Sequence, residues 1–376
     1  MMTQKKLKVA VLFGGRSGEH EVSLVSAASV IGALDKSKYE IIPVGITKEG
    51  RWIASFDAMQ LLKSGDIPPA LKSLMPPDPT HPEIITIGER DGHYALTATQ
   101  QIDVVFPVLH GTFGEDGTVQ GLLELAGVPY VGPGVLGSAV GMDKVVQKEL
   151  FRQAGLCTPQ SITVHYPEEQ GWDSVIRHIE HSLPYPLFVK PANLGSSVGI
   201  SKVRSQRELL PALKSAREYD VKIIVEEAVA SPREIEVSVL GYKKIEASVP
   251  GEIVPSNEFY DYSAKYVDGK SKSLIPAQLP PALAAQARNN AITAFQAIDG
   301  WGMARCDFLL DPNGKLSINE INTIPGFTSI SMYPKLWEAS GISYAGLLDR
   351  LIRIAIERHA DQRALKRTFE TDTWYK

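Results

Sequence analysis

The chain reads Ala304-Arg305-Cys306-Asp307-Phe308-Leu309-Leu310-Asp311-Pro312-Asn313-Gly314-Lys315-Leu316-Ser317-Ile318-Asn319-Glu320-Ile321-Asn322 near its C-terminal end. Two β-rich runs, 303–310 and 315–322, flank a turn sequence, and Asn-Gly is the favoured centre of a two-residue type I′ hairpin. With Asn313 and Gly314 as the loop, antiparallel pairing keeps the sum of opposed residue numbers constant. Asp307 then lies across from Glu320, and Arg305 across from Asn322. All four share one face, while Cys306, Phe308, Leu310 and Ile321 occupy the other and can bury on a core. Two carboxylates opposed at about 5 Å repel unless a cation sits between them. Oxygen-only ligands suit a hard cation such as Mg²⁺, which takes carboxylates together with substrate phosphates. Arg305 beside the acids is available to hold a phosphoryl or acyl oxygen. The plain alternative is a hairpin whose charges face water.

Outward from this hairpin the pattern is α/β. Residues 6–13 read as a buried strand, followed by glycines and an apolar pattern at helical spacing: Val22, Val25, Ser26, Ser29, Val30 and Ala33. Runs 39–46 and 102–108 are consistent with further parallel strands of a doubly wound sheet. Between them, 68–82 is dense in proline and 84–97 reads as a hairpin turning at Arg90-Asp91-Gly92, an insertion with no evident purpose. A glycine-rich passage over 127–141 precedes a helix over 143–154, and Pro159 opens a new segment, which puts a boundary near residue 132. Strand-like pieces 187–189 and 223–225 bracket a helix over 206–219. The pattern is then mostly β until Leu283, where a helix runs to about Ile298. A last helix follows Ser343 as N-cap, with Leu347, Leu348, Leu351, Ile354, Ala355 and Arg358 at core spacing.

The 376 residues exceed the usual domain size of roughly 100–200 and point to two or three cores. Apolar residues at 44% and charged residues at 22% exclude wholesale disorder. With 39 basic against 43 acidic residues and no run of five like charges, there is no footprint for nucleic acid. Cys157 and Cys306 lack neighbouring Cys or His at zinc spacing and are expected to be reduced. The apolar stretch 7–13 carries Lys8 and is too short for a signal peptide. No stretch of about 18 apolar residues could span a membrane. A soluble, cytoplasmic protein with no membrane partner is expected.

A second feature is Lys190-Pro191-Ala192-Asn193-Leu194-Gly195-Ser196-Ser197-Val198-Gly199. A strand ending in lysine, then glycines and hydroxyls, offers mobile N–H groups and two hydroxyls to phosphate oxygens. A polar hairpin turn with an exposed lysine explains it about as well. No Walker A sequence and no kinase signature set occurs, so a nucleotide site here is of another kind. The first turn, Gly14 to Glu19, lacks the Gly-x-Gly-x-x-Gly order, and its acid points to a cationic ligand, which argues against NAD.

Six ordered motifs complete the reading: Phe13-Gly14-Gly15-Arg16-Ser17-Gly18-Glu19-His20-Glu21-Val22-Ser23; His110-Gly111-Thr112-Phe113-Gly114-Glu115-Asp116-Gly117; Met142-Asp143-Lys144; Phe188-Val189-Lys190-Pro191 with its Gly-Ser-Ser loop; Phe259-Tyr260-Asp261-Tyr262-Ser263-Ala264-Lys265-Tyr266; and Asn319-Glu320-Ile321-Asn322-Thr323-Ile324-Pro325-Gly326-Phe327-Thr328. In these the chain resembles the D-alanine-D-alanine ligase family of ATP-grasp enzymes, from about residue 6 to 351 and interrupted mainly over 65–100. The resemblance implies a three-domain ATP-grasp architecture. A Rossmann-like N-terminal substrate-binding domain would span 1–132, a central ATP-grasp subdomain 133–226, and a C-terminal subdomain with the metal and catalytic site 227–376. ATP would phosphorylate the carboxylate of one D-alanine, and the amine of a second would attack the acyl phosphate, giving D-alanyl-D-alanine for peptidoglycan precursors.

The same resemblance implies roles. Asp307, Glu320 and Asn322 would hold two Mg²⁺ ions, with Mn²⁺ as a substitute. Arg305 and the Gly326 N–H would hold the tetrahedral oxyanion. Lys144 and Lys190 would bind phosphates, with Ser196, Ser197 and Asn319 also at the ATP. Glu226, Glu227, Ala228 and Val229 match the strand exit that reads adenine, and Glu234 matches the ribose-binding acid. Glu19 would take the first substrate's ammonium, linked through Ser196 to Tyr266, and His110 would contact that substrate's carboxylate. Ser331 and Met332 would bind the second substrate's carboxylate. Lys265, beside Tyr266 on a mobile loop, would reach the transferred phosphate on closure. Each has a bland counterpart: Glu19 as a helix N-terminal charge, Tyr266 as a strand aromatic, Ser331 as a cap, His110 as a core histidine. Tyr266 follows the dipeptide-forming pattern rather than that of D-lactate-using relatives. The rival readings are a sister ligase using D-lactate or D-serine second, and a non-catalytic nucleotide-binding protein, against which the Asp307, Glu320 and Asn322 set speaks. A homodimer is also implied.

Overall fold

A computed structural model describes residues 5–69, 71–90, 92–254, 272–328 and 330–368. The first sheet is built from β1 (Leu7–Gly14), β2 (Tyr39–Ile46), β3 (Trp52–Ala54), β4 (Lys72–Leu74), β5 (Glu83–Arg90), β6 (His93–Gln101) and β7 (Val104–Val108), in the order β6-β5-β4-β3-β2-β1-β7. Helices α1 (His20–Ala33) and α2 (Ala58–Ser64) fall between its strands. β1 is parallel to both β2 and β7, and Val9, Ala10, Val11, Leu12 and Phe13 are all fully buried, as a strand covered on both faces demands. The parallel arrangement ends there. The proline-rich insertion and its hairpin supply β4, β5 and β6, which extend the sheet by antiparallel pairing. Asp91, within the expected turn, lies outside the described residues.

Helices α3 (Thr118–Leu125), α4 (Val135–Met142) and α5 (Lys144–Gln153) lead into the second sheet. Asp143 caps α5, its carboxylate accepting from the N–H groups of Val145 and Val146. The second sheet is antiparallel: β8 (Ser161–His165), β9 (Leu187–Pro191), β10 (Ser201–Val203) and β11 (Lys222–Glu227), ordered β10-β9-β11-β8. After α6 (Pro167–Gln170), helices α7 (Trp172–Ser182) and α8 (Gln206–Arg217) cover one face, where Leu187, Val189, Ile223 and Val225 pack on Ile179, Leu209 and Leu213. Strand alternation sends Phe188, Lys190 and Glu226 to the other face.

The third sheet holds β12 (Arg233–Gly241), β13 (Ile245–Ala247), β14 (Gly251–Val254), β15 (Lys272–Leu274), β16 (Gly302–Leu310) and β17 (Leu316–Asn322), ordered β15-β14-β12-β16-β17 with β13 on β12. α9 (Pro281–Ala297) lays Ala287, Ala291, Ala294 and Phe295 against Val237, Cys306, Phe308 and Ile321. The expected apolar face of the hairpin is therefore core. α10 (Met332–Ala339) and α11 (Tyr344–Arg363) end the described chain. Ser343 caps α11, accepting from the Gly346 N–H. Leu347, Leu348, Leu351, Ile352 and Ala355 join Val9, Phe13 and Phe106 of the first sheet to Leu240 and Met303 of the third in one cluster. Ile352 is fully buried with them, whereas Ile354, expected on this stripe, is only half-buried.

The hairpin has the expected opposition with a different turn. Arg305 faces Asn322 and Asp307 faces Glu320, but nearer the turn Phe308 faces Ile318 and Leu310 faces Leu316. The turn is a three-residue loop, Pro312, Asn313 and Gly314: the Gly314 N–H donates to the Asp311 carbonyl and the Asp311 N–H to the Lys315 carbonyl. Of these residues only Gly314 is left-handed, at φ +86°, whereas a type I′ turn needs Asn313 left-handed too. The one-residue shift this causes is undone by a bulge that leaves Asn319 unopposed. Gly314→Ala should therefore cost about 1–2 kcal/mol in denaturant unfolding, and Asn313→Ala under about 0.5 kcal/mol. Equal losses at both positions would restore the two-residue turn.

Candidate active site

Register carries the site. On β12, Glu236 pairs with Asp307 of β16, which pairs with Glu320 of β17, so three acids stand in one row across three adjacent strands. Such a row needs cations, and among the described residues two are seen against it. The Arg305 guanidinium is bidentate on Asp307, with Nε and Nη2 each 2.7 Å from a carboxylate oxygen, and its Nε lies 3.1 Å from Glu236 Oε2. Lys144 Nζ lies 3.2 Å from Glu320 Oε2 and donates to the Leu194 carbonyl. The Asn322 side-chain N–H donates to Asp307 Oδ2 at 2.9 Å. Among the described residues no three His, Cys, Asp or Glu side chains form a self-contained metal group. The donor set here is two carboxylates and one amide.

A cavity of about 280 Å³ opens between this row and the bare face of the second sheet. Lys144, Lys190, Ser196, Ser197, Glu226 and Glu227 line it, as do Val229, Glu234, Arg305, Asp307, Asn319 and Glu320. Phe188, Ile200 and Leu309 give it apolar walls. The bulge explains why the consecutive residues Asn319 and Glu320 both reach it, since an extra residue re-aims the side chains beside it. Ser196 and Ser197 are both left-handed, at φ +52° and +59°, a costly backbone state for residues with a Cβ. Ala228 is not in the wall: its N–H is tied to the Pro186 carbonyl, because the strand exit alternates inward and outward positions.

At the floor, Glu226 sits between two ammonium groups. Lys190 Nζ donates to Oε2 at 2.6 Å and Lys148 Nζ lies 2.9 Å from Oε1. Lys148 also donates to the Asn319 carbonyl at 2.7 Å, joining α5, β11 and β17 at one atom. Burial alone would raise the Glu226 carboxyl, but the two lysines hold it down to about 2. Burial pulls the Lys148 ammonium below the usual lysine range. Lys148 was not legible as a site residue, yet it lies one helical turn after Lys144 on the same face of α5. Glu236 was missed too, although it follows Glu234 by two and so shares its side of β12.

The first sheet meets the cavity at Glu19. Ser196 Oγ donates to its carboxylate, and the carboxylate rests against the backbone at Gly111 and Gly195, where an added Cβ would come within 2.8 and 3.0 Å of it. His110, expected at the first substrate's carboxylate, lies beside Glu115 in the wall between the first sheet and the end of β17. It is buried, with Nδ1 on the Ile324 carbonyl and Nε2 on Ser26 Oγ, each at 3.0 Å, so both ring nitrogens are committed within the protein. Beside it, Glu115 accepts from the N–H groups of Gly111 and Ile324 and links the first sheet to the end of β17. Burial, with the Glu19 charge adding to it, pushes the Glu115 carboxyl up to about 8. Ser331 Oγ is within hydrogen-bond reach of the Thr328 N–H and hydroxyl and a Cβ on Gly326 would lie 2.8 Å from it. Met332 begins α10, its side chain buried with Leu336. Lys265 and Tyr266 lie outside the described residues.

Comparison with known proteins follows the same outline. The model described as D-ala D-ala ligase N-terminus matches residues 8–133, and that described as D-ala D-ala ligase C-terminus matches 150–353. A protein of Thermoanaerobacter sp. (strain X514) named D-alanine--D-alanine ligase is 54% identical over 362 residues, covering 95% of this chain and 99% of its own. One of Heliobacterium modesticaldum with the same name is 50% identical over 359 residues, 95% of this chain and 96% of its own. Among solved structures, the VanG D-Ala:D-Ser ligase from Enterococcus faecalis aligns with TM-score 0.82 at 37% identity, over 93% of this chain and 100% of its own. The D-alanine-D-alanine ligase from Coxiella burnetii aligns with TM-score 0.79 at 37% identity, over 96% and 97%. No helix among the described residues is long and apolar enough to cross a membrane.

Two measurements check this geometry. Lys148→Met removes one of the two ammonium groups on buried Glu226 and should lower stability by about 3 kcal/mol; a loss below about 1 kcal/mol would mean that Lys190 suffices for Glu226. For Glu115 the raised carboxyl keeps its proton in the folded chain while the unfolded chain loses it above about 4.5. Its contribution therefore declines as pH climbs toward about 8, by at most about 1.4 kcal/mol per pH unit. The stability of Glu115→Gln, measured from pH 5 to 8.5, should lack that decline. Parallel curves for the two proteins would rule it out.

Proposed function

Because the chain belongs to the D-alanine-D-alanine ligase family, we propose that the cavity between its second and third sheets joins two D-alanines at the expense of ATP, yielding D-alanyl-D-alanine for peptidoglycan precursors. The observation that carries this reading is the paired Asp307 and Glu320, neutralised by Arg305 and Lys144 at the cavity wall. In the reaction a carboxylate oxygen of the first D-alanine attacks the γ-phosphorus of ATP and ADP leaves. The amine of the second then attacks the acyl carbon, the C–N bond forms, the C–O bond to phosphate breaks, and the nitrogen sheds a proton.

Asp307, Glu320 and the Asn322 amide oxygen fit Mg²⁺, which takes one or two carboxylates together with phosphate oxygens. Bound there, the ions would supply positive charge that offsets what builds on the transferred phosphoryl group. Lys144 and Lys190 hold phosphate oxygens. The Ser197 hydroxyl does the same from the loop, Ser196, whose hydroxyl is given to Glu19, offers its backbone N–H there, and Asn319 steadies Lys190. Glu234 takes the ribose hydroxyls, and adenine lies by the backbone of Glu226, Glu227 and Val229, against Phe188 and Leu309. Glu19 receives the ammonium of the first D-alanine. Arg305 and the Gly326 N–H meet the oxygen of the tetrahedral centre, where preorganised donors act most strongly. The Ser331 hydroxyl and the Met332 N–H, at the positive end of α10, take the carboxylate of the second. Lys265 and Tyr266 are assigned from their motif as the closing loop that excludes water. A cytoplasmic homodimer, with boundaries near residues 132 and 226, belongs to the same proposal and rests on the family.

The rival using D-serine second shares the fold, since the VanG structure carries that name. The curated relatives named for D-alanine at both positions favour the dipeptide. ADP release should be stimulated by D-alanine and not by L-alanine, and a panel of second substrates should favour D-alanine over D-serine and D-lactate. Release with none of them would leave a binding protein. Glu320→Gln should lower turnover by at least about 10²-fold with the melting temperature little changed; normal turnover would remove the metal assignment.

A further inference from the structure

We propose that Glu236 is the positioning residue for Arg305, holding its guanidinium on the reacting acyl centre when Asp307 turns to the metal. The inference deepens the ligase reading and rests on it. Among the described residues two carboxylates touch the Arg305 guanidinium: Asp307, hydrogen-bonded to Nε and Nη2 at 2.7 Å, and Glu236, in ion-pair contact with Nε at 3.1 Å. The two anchors differ in what else they are asked to do. Asp307 is needed as a cation ligand, and a carboxylate oxygen given to a divalent ion is withdrawn from the guanidinium. Glu236, which also lines the cavity, is outside the set Asp307, Glu320 and Asn322 that would hold the metal.

Its setting suits a fixed anchor. Glu236 pairs on one side with Gly251 of β14 and on the other with Asp307 of β16, so it stands on an interior strand of the sheet. It is 6% exposed, which leaves its carboxylate little freedom. Arg305 is opposite Ser238, two residues along the same face of β12, so the guanidinium reaches back along the sheet to meet Glu236. A cation left with no anchor would swing into the cavity toward the phosphates, and a displacement of about 1 Å at a reacting centre costs up to roughly 100-fold in rate. Glu236 is thus a counter-charge that stays when the metal arrives, and it makes Arg305 a directed donor rather than a loose one.

The test uses the full-length enzyme with Glu236→Gln, which keeps the side-chain volume and removes the charge. Expected is a fall in kcat of roughly 10- to 100-fold, with KM for ATP and the dissociation constant for Mn²⁺ in the presence of ADP, read without turnover by electron paramagnetic resonance, each within about two-fold of wild type. In an Arg305→Met background the same substitution should cause no further loss of kcat, a non-additivity that a purely structural role would not produce. Weakening of Mn²⁺ binding by tenfold or more would make Glu236 a metal ligand and overturn the proposal. So would undiminished kcat, or losses that multiply in the double variant. Where Glu236→Gln fails to bind ADP and so is misfolded, Glu236→Asp, which keeps the charge and shortens its reach, should show the smaller loss of the same kind. Its retaining full kcat would equally overturn the role. A wild type that releases no ADP with D-alanine would instead sink the ligase reading itself.

Discussion

Like charges in neighbouring strands repel, and the site is organised around answering that repulsion. Glu236, Asp307 and Glu320 lie side by side across β12, β16 and β17. In water such a row would splay; here the backbone ladder forbids it. Arg305 from within the sheet and Lys144 from the start of α5 offset two of the row's three charges. Both cations reach it because the elements that bear them are pinned independently, β16 by pairing on both sides and α5 by the Asp143 cap and by Gln147, whose amide oxygen accepts from the Ile321 N–H. On the ligase reading proposed above, a divalent ion at this wall would not fill an uncharged gap, because the residues that would hold it already carry internal ammonium and guanidinium partners.

A comparable logic runs through the floor. Glu226 is nearly inaccessible and would be a heavy burden alone, but Lys148 and Lys190 satisfy it from two elements at once. Removing either lysine exposes the other two groups to an imbalance that the interior cannot screen. The floor thereby ties the second sheet to α5 and β17 through charge, beneath the apolar walls of Phe188, Ile200 and Leu309.

Much of this was legible in the sequence because strand period and hairpin pairing are local. The opposition of Asp307 to Glu320 follows from an Asn-Gly turn, although the turn is one residue longer than assumed and a bulge at Asn319 restores the register. Two departures cancel, and neither is visible without coordinates, since a bulge carries no composition of its own. Glu236 escaped because β12 and β16 are separated by some 60 positions in the chain, and nothing local reports which strands become neighbours. Lys148 escaped because a lysine in a helix is ordinarily solvated; only tertiary packing buries it. His110 sits in a motif shared with binding residues, yet Ser26 and Ile324 claim its nitrogens. The proline-rich insertion could be read as strands but not assigned to a sheet, because edge pairing is set by geometry that lies outside it.

The cluster centred on α11 has one more implication. It welds the first and third sheets through shared side chains such as Phe327, Leu348 and Met303, while the second sheet keeps an interior of its own. The cavity therefore lies at the seam between separately built interiors. One of its walls rests on an interior that shares no side chain with the cluster joining the other two sheets.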